Sequence, residues 1–301
     1  MNANRYFSFS RLGLVMKRDF MENWKTNLYL FLGVFFAFLG VYLLQMYDYN
    51  DSIHGGVLDA YQTVERYVSH HTAAFAGVTL FLLVYFATET MRNMRTKEQR
   101  LSYLMLPATK LEKFVSRALY VTVGMFSMIL LASLLAEAVH WAFMPFFDEL
   151  PDKFKVCVWL DAWGKIFDDL NPFKATAKLL VNKNAFVLGG IMGGTVALWW
   201  HSLYILGGNY FGKYAFFKTT GIIILVAILL AMGISHIDFD FGPGTFEWLD
   251  DFMRNNEDWL NENFVAGVIT FIFFCFTAFN WWLSYKLFTR QQVIKPKFRL
   301  L

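Results

Sequence analysis

The stretch "GGNYFGKY" carries Gly207, Gly212 and Lys213 at the spacing of a phosphate-binding loop. Such a loop wraps its backbone N–H groups around phosphates, brings in a lysine, and needs Ser or Thr next to hold magnesium. Tyr214 fills that last position. The stretch lies between two apolar runs rather than between a buried strand and a soluble helix, and no polar segment is long enough for a nucleotidase domain. It reads as a short turn in which Gly207 and Gly208 close one span. The chain is therefore expected to have no ATPase motif of its own, no catalytic residues and no bound cofactor.

The other residues able to do chemistry are few. His54, His70 and His71 could assemble a metal site in the first outer loop, but no HExxH helix or GxSxG elbow occurs. No metal is expected. Glu89 and Glu137 fall near the ends of apolar runs. Carboxylates within a membrane are costly and point to function, whereas at its edge they can reach the headgroups. Glu89 can pair with Arg92 one turn on. For Glu137 both readings stand, because His140 follows three residues later. Glu89, Glu137 and His140 are thus the candidates for intramembrane function.

These residues are carried by an unusually apolar chain. Of 301 residues, 56% are hydrophobic, 19% aromatic and 17% charged, with 34 phenylalanines. Runs free of Asp, Glu, Lys and Arg cover the roughly 17–25 residues that a bilayer crossing requires. They predict six spans near 27–47, 71–91, 118–143, 184–207, 219–237 and 263–285. Residues 1–26 precede a transmembrane domain over 27–288, and 289–301 form a tail. The first run follows a polar, basic segment and is too long for a signal peptide core, so it reads as a retained anchor. Cys157 and Cys275 lie in a loop and in the last span, and no disulfide between them is expected.

Lys and Arg concentrate in the N-terminal segment, the second-to-third connection, the fourth-to-fifth turn and the tail. A basic excess marks the cytoplasmic side. Both termini are therefore expected inside an inner, cytoplasmic membrane. The outer loops are acidic overall. In the last one Phe246, Leu249, Met253 and Leu260 share a helical face, which fits either a surface helix or an ordinary loop helix.

Before the first span, Phe9, Leu12, Met16, Phe20 and Trp24 recur at helical spacing, with Arg11, Lys17, Arg18 and Lys25 on other faces. This is the pattern of an amphipathic helix lying in the inner membrane interface, the preferred reading; a helix packed on a soluble partner uses the same pattern. The second-to-third connection, "MRNMRTKEQRLSYLMLPATKLEKFVSRALYV", reads as a basic extended lead-in. Pro107 is placed to begin a short amphipathic helix. Leu111, Phe114 and Val115 share one face, with Lys110, Glu112, Lys113 and Arg117 elsewhere.

That segment resembles the "LPxxxxEKFxxR" region of permease subunits of bacterial type V ABC exporters, and the chain looks most like permeases of Bacteroidetes genomes. Leu106, Pro107, Glu112, Lys113, Phe114 and Arg117 occupy the matching places, and "NYFGKYAFFKT" is similar to the family's other inner loop. The loop over 144–183 is longer than in minimal members. The resemblance implies an all-α integral membrane protein. It would have six transmembrane helices, an N-terminal interfacial helix and a cytoplasmic coupling helix. It also implies separate ABC ATPase subunits holding ATP and Mg, and a second permease copy, most simply in a homodimer. Leu106, Pro107, Ala108, Thr109, Lys110, Leu111, Glu112, Lys113, Phe114 and Arg117 would contact the ATPase. No nucleic acid is expected as a partner. Two other readings fit the sequence: a non-transporting scaffold or sensor with ligand-binding outer loops, and an intramembrane enzyme using Glu137, His140 or the loop histidines.

Overall fold

The computed structural model describes residues 7–54, 60–143, 158–169, 183–236 and 262–290. Among these the backbone is almost wholly helical. In order come α1 (Phe9–Glu22), α2 (Trp24–His54), α3 (Ala60–Ala87), a 3-10 segment (Thr88–Met94), α4 (Lys97–Leu104) and α5 (Lys110–Leu119). A π segment (Tyr120–Gly124), α6 (Met125–Phe143), α7 (Val158–Asp169), α8 (Lys183–Phe211), α9 (Ala215–His236) and α10 (Glu262–Thr289) follow. The expected helix over 246–260, the tail beyond Arg290 and much of the 144–183 loop lie outside the described residues.

Among the described residues, five helical stretches are long and apolar enough to cross a membrane: Trp24–Asp48, Ser69–Met94, Lys110–Phe143, Ala215–Gly233 and Gly267–Thr289. The chain is thus a helical, multi-pass membrane protein by length and apolarity. The expected fourth span is one uninterrupted helix of 29 residues, α8.

Two units divide the chain, one formed by the helices up to Asp168 with the α10 terminus from Phe288, the other by Asp169–Leu287. In the first, α2 presents Val34, Phe38, Tyr42 and Met46 as a buried stripe at four-residue spacing, one face of a helix. The stripe packs with α3 and α6, where Phe38 meets Phe75 at 4.8 Å between ring centroids. Small buried residues of α6, Ala132, Ser133 and Ala136, allow close helix approach.

The second unit is built around α8. A Cβ on Gly207 would stand 1.9 Å from Thr219 Oγ1 of α9, so only glycine fits that crossing. Tyr204 stacks on Phe216 and shares a 3.2 Å hydrogen bond with Thr220. From α10, Asn280 Nδ2 donates to Ser202 Oγ at 2.8 Å.

Two expectations change here. Gly207 does not close a span: α8 runs on to Phe211 and is ended by Gly212 at φ 68°, the left-handed conformation that glycine adopts freely. The lead-in before Pro107 is not extended but forms α4. There Thr96 Oγ1 accepts from the Gln99 backbone N–H, and Gln99 Oε1 accepts from the Thr96 backbone N–H. This reciprocal cap has a sequence signature, Thr followed three residues later by Gln, that outweighs the basic charge pattern.

Candidate functional site

The segment expected to couple to a partner is a helical hairpin, α4 and α5, joined by the turn through Met105–Thr109. The second helix does not begin at Pro107. Thr109 is its N-cap, with Thr109 Oγ1 accepting from the Glu112 N–H at 3.2 Å and Glu112 Oε2 accepting from the Thr109 N–H at 2.8 Å. Pro107 lies exposed in the turn before it. A capping box fixes a helix start more strongly than proline alone, because it satisfies two otherwise orphaned N–H groups.

Glu112 does more than cap. Its Oε1 also accepts from the Ser8 N–H at 2.7 Å and from Arg11 Nη2 at 2.8 Å. One fully buried carboxylate thus joins the starts of α1 and α5.

A second buried junction lies further along the same helices. Asp19 Oδ2 stands 3.8 Å from Arg117 Nη1, and Asp19 accepts from Asn93 Nδ2 at 3.2 Å and Ser116 Oγ at 3.4 Å. Arg117 donates from Nε to the Thr90 carbonyl at 3.0 Å and from Nη2 to the Glu89 carbonyl at 3.1 Å. Those carbonyls are freed where the helix tightens to 3-10 geometry and kinks at Met91 (φ −95°, ψ 15°). The arginine therefore closes the backbone accounts of the kink. Burial pushes the Asp19 carboxyl above its ordinary value of 3.8, opposed by the nearby Arg117 charge. Burial likewise raises the Tyr103 phenol, whose hydroxyl donates to the Lys113 carbonyl at 3.0 Å. Lys113 Nζ in turn donates to the Leu104 carbonyl at 2.7 Å.

The face offered outward consequently differs from the expected one. Phe114 is only 4% exposed and packs on Phe288 at 5.7 Å, so it is an internal anchor rather than a docking side chain. Glu112, Lys113 and Arg117 are buried as well. Leu106, Ala108, Thr109 and Val115 are half-buried. The open surface is made by Leu101, Met105, Pro107, Lys110 and Leu111, with Met105 74% exposed. Lys110 also donates from Nζ to the Thr289 carbonyl at 3.1 Å.

The α1 face is corrected in the same sense. Leu12, Val15 and Asp19 turn inward, leaving Phe9, Met16, Phe20 and Trp24 exposed as a stripe. An acidic residue in register with an apolar stripe was the sequence signal for the Asp19 junction.

Of the intramembrane candidates, Glu89 pairs with Arg95 at 2.6 Å rather than with Arg92. With about three residues per 3-10 turn, residues six apart return to one edge. Glu137 and His140 do meet. His140 Nδ1 is 3.7 Å from Glu137 Oε2, and Trp141 Nε1 donates to Glu137 Oε1 at 2.9 Å. The Tyr42 ring stacks on both His140 (4.9 Å) and His71 (4.4 Å). Tyr42, His71 and His140 are fully buried, so this is an interior polar cluster. His70, next in sequence, is exposed. Among the described residues no three His, Cys, Asp or Glu side chains are grouped to hold a metal.

The "GGNYFGKY" stretch is helical through Phe211, which commits its N–H groups to the helix, and Lys213 is exposed. No protein-family model, curated protein or solved structure matches the chain.

Proposed function

We propose that this chain is the membrane permease subunit of an ATP-binding-cassette exporter, driven by separate ATPase subunits and working as a pair of permeases, most simply a homodimer. The chain itself carries out no covalent chemistry; ATP and Mg belong to the partner. In this reading the protein lies in the inner membrane with both termini cytoplasmic. Helix α8 is then the sixth span, and α1 lies in the interface with Phe9, Met16, Phe20 and Trp24 toward lipid. Support for α8 comes from its length and its glycine- and Ser–Asn-mediated contacts, the means by which helices associate in lipid.

The observation that carries the proposal is the mounting of the α4–α5 turn. Exposed Met105, Pro107, Lys110 and Leu111 stand at the start of a helical path that continues from Lys110 to Phe143. Ion pairs hold that path to α1, and Arg117 hydrogen bonds hold it to the kink ending α3. A push on the turn would move a membrane helix instead of bending a loop. Exposed Met105 and Leu111 suit an apolar groove on a partner.

The test is purification of the tagged chain from its native membranes, with ATP hydrolysis and the identity of co-purifying subunits as readouts. An ABC ATPase should co-purify and be lost in Met105→Asp and Leu111→Asp, both of which should insert normally. Retention of the ATPase by both variants, or purification of the wild type without one, would reject the reading.

A further inference from the structure

We infer that the outward face of α1 and the first turn of α2 bind anionic lipid, with Lys17 and Lys25 holding its phosphate. The inference rests on the interfacial placement proposed for α1 and needs no ATPase.

The cations of this segment fall into two classes. Arg11 and Arg18 are engaged within the chain. Arg11 pairs with Glu112 at 2.8 Å, and Arg18 pairs with Glu22 at 3.4 Å and donates to Ser102 Oγ at 2.6 Å. Lys17 and Lys25 are exposed. Among the described residues neither forms an ion pair or a hydrogen bond, and Lys25 Nζ lies 5.8 Å from the centroid of the Trp24 ring. Of the acids on α1, Asp19 is buried and Glu22 is held by Arg18. Two positive charges are therefore left to face outward.

Their place in the fold puts them at the membrane surface. Asn23, at φ −105° and ψ 11°, alone separates α1 from α2. Trp24 then opens the first stretch long enough to cross a bilayer. At about 1.5 Å per residue, Lys17 stands about 9 Å along α1 from that junction, and Lys25 lies just beyond it. The surface they flank is aromatic: Phe20 is 61% and Trp24 52% exposed, and Tyr29 in the second turn of α2 is 70% exposed. Trp and Tyr collect at headgroup level, where the ring enters the apolar layer and its polar edge stays wet. A lysine stem can lie along such a surface while its ammonium reaches the phosphates.

Charge then selects the lipid. A zwitterionic headgroup brings its own cation and leaves both lysines without net compensation. An anionic headgroup neutralises them. Each lysine close to an anionic surface favours binding by about fivefold, and two by about thirtyfold. A protein groove is the weaker fit, because direct continuity with the first span holds this surface against the bilayer whether or not a partner is bound.

The experiment uses the full chain with Cys157→Ser, Cys275→Ser and Met21→Cys, the last carrying an NBD fluorophore. Met21 is 62% exposed and lies one turn from Lys17. The protein is reconstituted in phosphatidylcholine vesicles containing equal fractions of either brominated phosphatidylcholine or brominated phosphatidylglycerol, whose bromines quench the fluorophore on contact. The expected result is stronger quenching by phosphatidylglycerol, corresponding to a relative affinity of about fivefold or more, and a fall to parity when Lys17→Gln and Lys25→Gln are combined. Equal quenching by the two lipids would keep α1 in the interface without a headgroup preference and overturn the inference. No quenching by either would put the face against protein and overturn the interfacial placement with it. A preference that survives in the double variant would belong to other cations and remove the two lysines from the site. Co-purification of an ATPase is read separately, and its absence would leave these quenching results as they stand.

Discussion

The Glu112 carboxylate lies 2.8 Å from the Arg11 guanidinium, fully buried, while it also caps its own helix. One side chain thereby sets where α5 starts and where α1 docks. Charge at this point is not decoration on a surface helix. It is the joint between the segment before the first span and the turn that precedes the third.

Breaking this joint should destabilise locally. Removing one partner of a buried ion pair costs about 3–5 kcal/mol, because the other charge stays buried without compensation. Glu112→Ala should therefore lower the unfolding temperature in detergent and speed hydrogen exchange across α1. Arg11→Ala should cost less, since Arg11 is partly exposed. The double variant should fall short of the sum of the singles, and strict additivity would show that the contact carries no coupling.

Phe114 and Leu111 should separate stability from binding. Phe114 is an interior ring against Phe288, and truncating such a ring to alanine costs about 3–5 kcal/mol. Phe114→Ala should lower the unfolding temperature markedly. Leu111→Asp, at a 42% exposed position, should leave it nearly unchanged while abolishing recovery of an ATPase. Thermal unfolding and co-purification on the same preparations check both.

Gly207→Ala should disrupt the α8–α9 crossing, because the added methyl overlaps the Thr219 side chain. A second change, Thr219→Gly, should restore most of the lost stability. Lys213→Ala, at an exposed turn, should leave both stability and nucleotide binding by any assembled complex unchanged. Loss of nucleotide binding with Lys213→Ala would reinstate the phosphate-loop reading.

The Asp19 junction should respond to pH. Its carboxyl is raised above 3.8 in the fold, chiefly by burial. A raised acid favours the folded form when protonated, so its contribution is complete below 3.8 and is lost as pH rises through the folded value. Corrected for intrinsic rates, α1 amides should exchange more slowly near about pH 4 than near about pH 8. Asp19→Asn should flatten that difference. An unchanged slope in the variant would assign the pH response to another group.

Helical class and the positions of five membrane-length helices were determined by the sequence alone, and so were the two capping boxes, although the charge pattern and Pro107 pointed away from them. Each depends on a local property: mean apolarity over a window, or a hydrogen-bonding side chain three residues from its target. Which faces turn inward was decided only by tertiary structure. Helical spacing groups Leu111 with Phe114 and Leu12 with Phe9, yet one of each pair is buried and the other open. In a membrane protein apolarity cannot make that choice, since lipid and protein interior are alike to an apolar side chain. The choice is made by long-range polar contacts such as Glu112 with Arg11 and Asp19 with Arg117, and by the crowding of Phe114 against Phe288. The placement of α7 beside Ser133 and Phe126 belongs to the same category.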